Sequence, residues 1–177
     1  MTFDSIDKLR KVTEEARKTL YLAEAGELMD YSECSRVHFG CVIVKDNNII
    51  GRGFNKPLVE CDTCIREVNK VEHGSRLEIC TAIHAEMMAI IGVDNKCNRA
   101  DLYLVGKFPD GTYFNHQTVK FGCSICLRFM LQVGIKNIYI FNGKDVEHST
   151  PKEALMNYLL SSDTYNMRDY IAEQVEC

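Results

Sequence analysis

"CVIVKDNNIIGRGFN", residues 41–55, holds two β-rich apolar runs joined by Asp46, Asn47 and Asn48. Short polar residues between such runs predict a β-hairpin, because Asp and Asn tolerate the left-handed backbone of a tight reversal. Outward from this hairpin the elements alternate. Towards the N-terminus, residues 4–30 carry Ile6, Leu9, Val12, Ala16, Leu20 and Ala23 at helical spacing among many charges. Towards the C-terminus, residues 56–80 are polar and cysteine-bearing and read as a long irregular insertion. Such a loop is uncommon in a compact domain unless it is functional or pinned. A helix is predicted from His84 to about Ile91, ended by Gly92. "ADLYLVGKF" (100–108) reads as a strand, followed by the turn "PDG" and a second strand within "TYFNHQTVKF" (112–121). "CSICLRFMLQVG" (123–134) is a helix with Gly134 just past its end, and "IKNIYIFN" (135–142) a buried strand. One or two helices close the chain, starting near "STPKEALMNYLL", where Ser149 or Thr150 can cap and Pro151 suits the first turn. A hairpin followed by helix–strand–helix–strand predicts an α/β fold. Its central mixed sheet carries helices on both faces, in three layers, because crossovers between parallel strands are helical.

Composition bounds the function. The 177 residues predict a single domain spanning 1–177, interrupted only by the insertion at about 56–80. A net charge of −4 opposes broad electrostatic binding of nucleic acid, which needs many cationic phosphate contacts. No apolar run approaches the roughly 18 residues of a membrane span, and "MTFDSIDKLRKV" lacks the apolar core of a secretory signal. The nine cysteines are therefore expected as reduced thiols in a cytoplasmic protein, where metal binding or catalysis outranks disulfides.

"CTAIHAEMMAI" (80–90) sets His84 and Glu86 in an otherwise apolar run. A buried carboxylate is costly without a partner, so something nearby should need Glu86. Downstream, Cys123 and Cys126 stand three apart at a predicted helix start, which puts both sulfurs on one face of its first turn. Backbone N–H groups and the helix dipole there favour thiolate, the form that binds metal. With His84 they make a Cys₂His set that leaves a fourth position open, the pattern of a catalytic rather than a structural zinc site. Glu86, in the same turn as His84, is the candidate catalytic base. A lone C-x-x-C could instead be a redox pair, but that reading leaves His84 and Glu86 unexplained.

H-x-E followed by P-C-x-x-C is the signature of zinc-dependent nucleobase deaminases. Over roughly residues 30–142 this chain resembles the cytidine and deoxycytidylate deaminase family, closest to the deoxycytidylate branch. "CSRVHFGCVIVKDNNIIGRGFN" is similar to the family's strand pair leading to a substrate-pocket asparagine, here Asn55. "CDTCIRE…CTAIHAEMMAI" is similar to the cysteine-containing insertion of the deoxycytidylate branch, and "CSICLRFMLQVGIKNIYI" to the second motif helix and its following strand. The resemblance implies the three-layer α/β/α fold, Zn²⁺ held by His84, Cys123 and Cys126, Glu86 as proton shuttle, and the backbone N–H of Ala85 at the base edge. It implies hydrolysis of a free pyrimidine nucleotide, dCMP to dUMP with release of ammonia. The alternatives are a polynucleotide deaminase or one acting on another small cytosine or aminopyrimidine compound. The expected partners are a small-molecule nucleotide and further copies of the chain, with no membrane and no nucleic acid.

Two features depart from the family pattern. Gly122 stands where proline is usual, and "GKFPDGTYFNHQTVKFG" (106–122) is much longer than the typical link, long enough for a hairpin beside the pocket. A second, structural zinc is a further option, drawn from Cys61, Cys64, His73 and Cys80, with Cys34 another candidate.

Overall fold

The computed structural model describes residues 3–59, 63–93, 96–115 and 121–161. The elements run α1 (Phe3–Leu28), β1 (His38–Lys45), β2 (Asn48–Phe54), β3 (Lys56–Pro57), α2 (Ile65–Val68), β4 (Ala82–Ile83), α3 (Ala85–Ile91), β5 (Asp101–Lys107), α4 (Ser124–Val133), β6 (Asn137–Phe141), β7 (Val146–Ser149) and α5 (Pro151–Leu160). The main sheet has the order β2-β1-β5-β6-β7. Only β5 and β6 are parallel, and the helix between them is α4. The sheet is thus mixed, as the element order predicts.

Side chains on β1 and β5 alternate between two buried faces, which is why both strands read as near-continuous apolar runs. Val42, Val44, Tyr103 and Val105 pack beneath Leu22, Ala25 and Met29 of α1 and the turn that follows it. On the other face, Cys41, Ile43, Leu102, Leu104, Ile138 and Ile140 pack against α3 (Ala85, Ala89, Ile90), α4 (Cys126, Leu127, Met130) and Ala154 of α5. Three layers result, with both motif helices on one face.

Local chemistry accounts for the boundaries. The hairpin turn is Asp46-Asn47, with φ of 51° and 63°, and Asn48 already pairs with Lys45. Gly134 ends α4 at φ 78°. Thr150 caps α5 in a reciprocal capping box with Glu153, and Pro151 opens the helix.

Two expectations change. The short edge strand β7 was not foreseen, because "VEHS" has no apolar alternation and its Val146 is exposed. The strand expected within 112–121 is reduced, over its described residues, to a return from the PDG turn. Tyr113 bridges Lys107, and the Phe114 N–H donates to the Gly106 carbonyl (2.9 Å). Residues 116–120 of that segment, and the continuation of the chain past 161, lie outside the described residues. Among the described residues no helix is long and apolar enough to cross a membrane.

What positions α3 is a pair of glycines. Gly51 and Gly53 face it from β2, and a Cβ on Gly53 would collide with the backbone of Ala85 and of Ala89. Only glycine lets the helix lie this close, and the helix carries His84 and Glu86 at its start. Gly53→Ala is therefore expected to destabilise by about 1–3 kcal/mol, as overpacking does. Chemical denaturation checks this, and unchanged stability would mean that α3 can simply shift outward.

Candidate metal centre and active site

The insertion is tied at its base, directly before the metal motif. β3 and β4 pair through Lys56–Ile83 and Pro57–Ala82, and the Leu58 N–H donates to the Thr81 carbonyl (2.9 Å). The chain then enters α3 with His84 as the residue before its first turn, in extended conformation. Cys123 holds the same place before α4, where its Sγ accepts the Cys126 N–H at 3.3 Å. Two helix starts thus face each other across one point. His84 Nδ1 lies 3.2 Å from Cys126 Sγ and 3.4 Å from Cys123 Sγ. The three ligand atoms lie within 4.8 Å of one another, the one such group among the described residues.

Electrostatics treats the trio as a unit. The Cys126 thiol donating to Cys123, with His84 adding to it and burial opposing, lowers Cys123 to a pKa of about 4. Cys126 is pushed far up, first by that same bond and then by burial, so one proton stays between the sulfurs. Burial opposes a charge on His84, but Cys123, Cys80 and Glu86 outweigh it and lift the imidazole to about 11. Glu86 is 5% exposed. Burial raises its pKa, Cys123 adds to the rise, and His84 opposes it. A carboxyl so placed can both accept and donate a proton.

His84, Glu86 and Cys123 share a cavity of about 120 Å³. His84, Glu86, Gly122 and Cys123 line one end, and Phe39, Leu104, Phe114 and Ile140 form apolar walls. Gly122 sits over Glu86, since a Cβ there would lie 3.6 Å from the carboxylate Oε1. Its φ of 145° excludes proline, whose ring holds φ near −65°. The absence of the family's proline is therefore a different backbone path into the same helix start.

A family model described as the cytidine and deoxycytidylate deaminase zinc-binding region matches residues 15–142. The chain belongs to the cytidine and deoxycytidylate deaminase family. The deoxycytidylate deaminase of Mycobacterium phage D29 is 31% identical over 90 residues, an alignment covering 46% of this chain and 67% of that protein. The apo dCMP deaminase of cyanophage S-TIM5 superposes with a TM-score of 0.51 at 19% identity, over 79% of this chain and 90% of that one. The cytidine deaminase of Burkholderia pseudomallei gives 0.50 at 15%, over 77% and 94%. At these identities both structures speak for the fold alone, and the fold is cytidine deaminase-like. This deaminase is a zinc-dependent hydrolase.

The residues present fit zinc. Zn–S bonds of about 2.3 Å and a Zn–N bond of about 2.0 Å at the tetrahedral angle put nitrogen and sulfur about 3.5 Å apart. The observed 3.2 and 3.4 Å edges are close to that face, and one imidazole with two thiols is a donor set zinc takes.

The other expected residues separate. Asn55 lies in the cavity wall, but most of its amide is used internally. Its Oδ1 accepts from Ser32 Oγ (2.8 Å) and the Phe39 N–H (2.7 Å), while Nδ2 donates to the Val37 carbonyl (2.7 Å). The Ala85 side chain is buried beside Gly53, leaving only its first-turn N–H for a ligand. Cys34, Cys64, His73 and Cys80 form no metal-sized cluster among the described residues, and Cys61 lies outside them. Cys80 instead lines the same cavity as His84, whose imidazole, with the Ala82 backbone, brings the thiol down to about 7 against the effect of burial. Sequence reasoning missed this placement of Cys80 beside the site and missed Arg36, which also lines the cavity. No local signal marks either residue.

Proposed function

We propose that this deaminase hydrolyses dCMP to dUMP with release of ammonia. The observation that carries the reading is the buried Glu86 carboxyl, opening onto the same cavity as His84 and Cys123. The likeness to a deoxycytidylate deaminase supports the choice of nucleotide. We assign zinc binding to His84, Cys123 and Cys126. Zinc, when bound, supplies a Lewis acid that makes water nucleophilic near neutral pH. Glu86 takes one proton of that water and passes it to ring N3 as oxygen adds at C4. It then takes the remaining hydroxyl proton and delivers it to the departing amine, so that the C4–N bond breaks as the carbonyl forms. The remaining amide hydrogen of Asn55 and the N–H of Ala85 are assigned to holding the substrate. The phenyl rings of Phe39 and Phe114, 4.9 Å apart and edge to face, give the base an apolar wall.

The test is ammonia release across cytosine, cytidine, deoxycytidine and their mono- and triphosphates. dCMP is expected to be turned over best. Activity confined to oligonucleotides, with binding that weakens steeply with salt, would overturn the reading, because that slope reports phosphate contacts that a chain of net charge −4 is poorly equipped to make. A cytoplasmic homo-oligomer is part of the same proposal, and sedimentation of the purified enzyme checks the assembly.

A further inference from the structure

The cavity that Glu86 lines is also lined by two arginines from distant parts of the chain. Arg36 precedes β1, and Arg66 lies on α2 within the insertion. They are 8% and 6% exposed. Among the described residues neither has a carboxylate within salt-bridge distance. Their contacts are to backbone carbonyls. Arg36 Nη2 donates to Val71 (2.7 Å), and Arg66 Nη2 donates to Glu72 (3.2 Å) and Ser75 (2.7 Å). Carbonyls hold the guanidiniums in place but neutralise no charge. Moreover, Arg66 Nε is fully buried and has no acceptor among the described residues. Buried cations without a counter-charge are costly, and a buried donor without an acceptor adds to that cost. His73 completes the cluster. Burial, then the charges of Arg36 and Arg66, hold its imidazole below the usual range, so it faces both cations.

The position of the cluster defines the ligand. Arg36, Arg66 and His73 line the inner cavity and also an outer groove, so they form the neck between the two. Of the two, the inner cavity and not the groove is also lined by Glu86, His84 and Cys123. Beyond the neck, Lys70 is set against Glu67 and Asp110, so the groove offers no net positive charge to further anionic groups.

We infer that Arg36 and Arg66 form a buried anion site at this neck, which takes one phosphate of a substrate whose base lies at Glu86 and so selects nucleoside monophosphates. The inference rests on the proposed deaminase reaction, and it gives the insertion a function: α2 and the 71–75 turn bring Arg66 to the neck and brace both guanidiniums. Planar guanidinium forks suit phosphate oxygens, and they lose little freedom on binding because the carbonyls already hold them.

The test compares dCMP with deoxycytidine. In the unmodified enzyme kcat/KM is expected to favour dCMP, dCTP to be no better than dCMP, and inorganic phosphate to compete with dCMP. Arg66→Gln is expected to lower the dCMP-to-deoxycytidine ratio of kcat/KM by about 10–10²-fold, the range for a hydrogen bond to a charged group. Arg36→Gln should lower the same ratio independently. Because the arginines also brace the insertion, zinc content and melting are measured alongside. Equal losses on both substrates, with the ratio unchanged, would reduce the arginines to scaffolding and overturn the inference. So would preference for the nucleoside, or for dCTP, in the unmodified enzyme, which requires no variant to fold. If no cytosine compound releases ammonia, it is the deaminase reading that fails. Calorimetry of the zinc-loaded enzyme with dUMP and deoxyuridine still decides the anion site, which predicts tighter binding of dUMP, and equal affinity overturns it.

Discussion

Glu86→Gln is expected to keep its zinc and its fold while deaminating at least about 10²-fold more slowly, the lower end for loss of a general acid–base. Glutamine matches glutamate in shape, so the packing of the first turn of α3 survives. It has no proton affinity to offer, so both directions of transfer fail. Burial raises the pKa of the wild-type carboxyl, which favours its holding a proton between the two transfers. Glu86 also contributes to the high pKa of His84, but it is not itself among the clustered ligand atoms. Zinc content and deamination rate measured on the same preparation separate the roles. Near-normal turnover with full zinc would make Glu86 a structural residue only, and its burial would then lack an explanation.

Removing the ligands should have a larger effect. Combined replacement of His84, Cys123 and Cys126 by alanine is expected to take bound zinc from about one per chain to none and to abolish turnover. The physical reason lies in how the trio is wired. The Cys126 thiol and His84 lower the pKa of Cys123, and the protons on Cys126 and His84 are the ones a metal ion would compete with. Binding zinc must displace those protons, and the metal then takes over the negative charge the protons had balanced. No other group of clustered ligands among the described residues can substitute. Metal analysis of the purified variant decides the matter. Full zinc retention would sink the assignment, whereas a partial equivalent would direct attention to the cysteines of the insertion. Stripping the unmodified enzyme with a chelator should silence it, and zinc alone should restore it.

Much of the fold could be read along the chain because its signals are local. Near-continuous apolar runs specify β1 and β5, Asp46-Asn47 supplies the left-handed turn, and Gly134 and the Thr150–Glu153 pair mark helix ends. The edge strand β7 escaped because an edge buries little and so leaves no apolar pattern. The metal motif was legible for the same local reason. Cys123 and Cys126 share the first turn of one helix, and His84 and Glu86 open another.

By itself, then, the sequence determined the α/β class, the helix starts that carry the proposed site residues, and the donor types of the candidate metal centre. Periodicity and capping act over a few residues, so no partner is needed to read them. Tertiary structure alone decided that the two helix starts meet with His84 Nδ1 between two sulfurs, at 3.2 and 3.4 Å. It decided that Gly53 must be glycine, because the backbone of α3 occupies the space a Cβ would need. It placed Cys80 on the same cavity wall as His84, and Arg36 on that wall with Arg66 across 30 positions of sequence. Contacts between distant segments depend on how layers pack and loops close, and a linear pattern carries no record of that geometry.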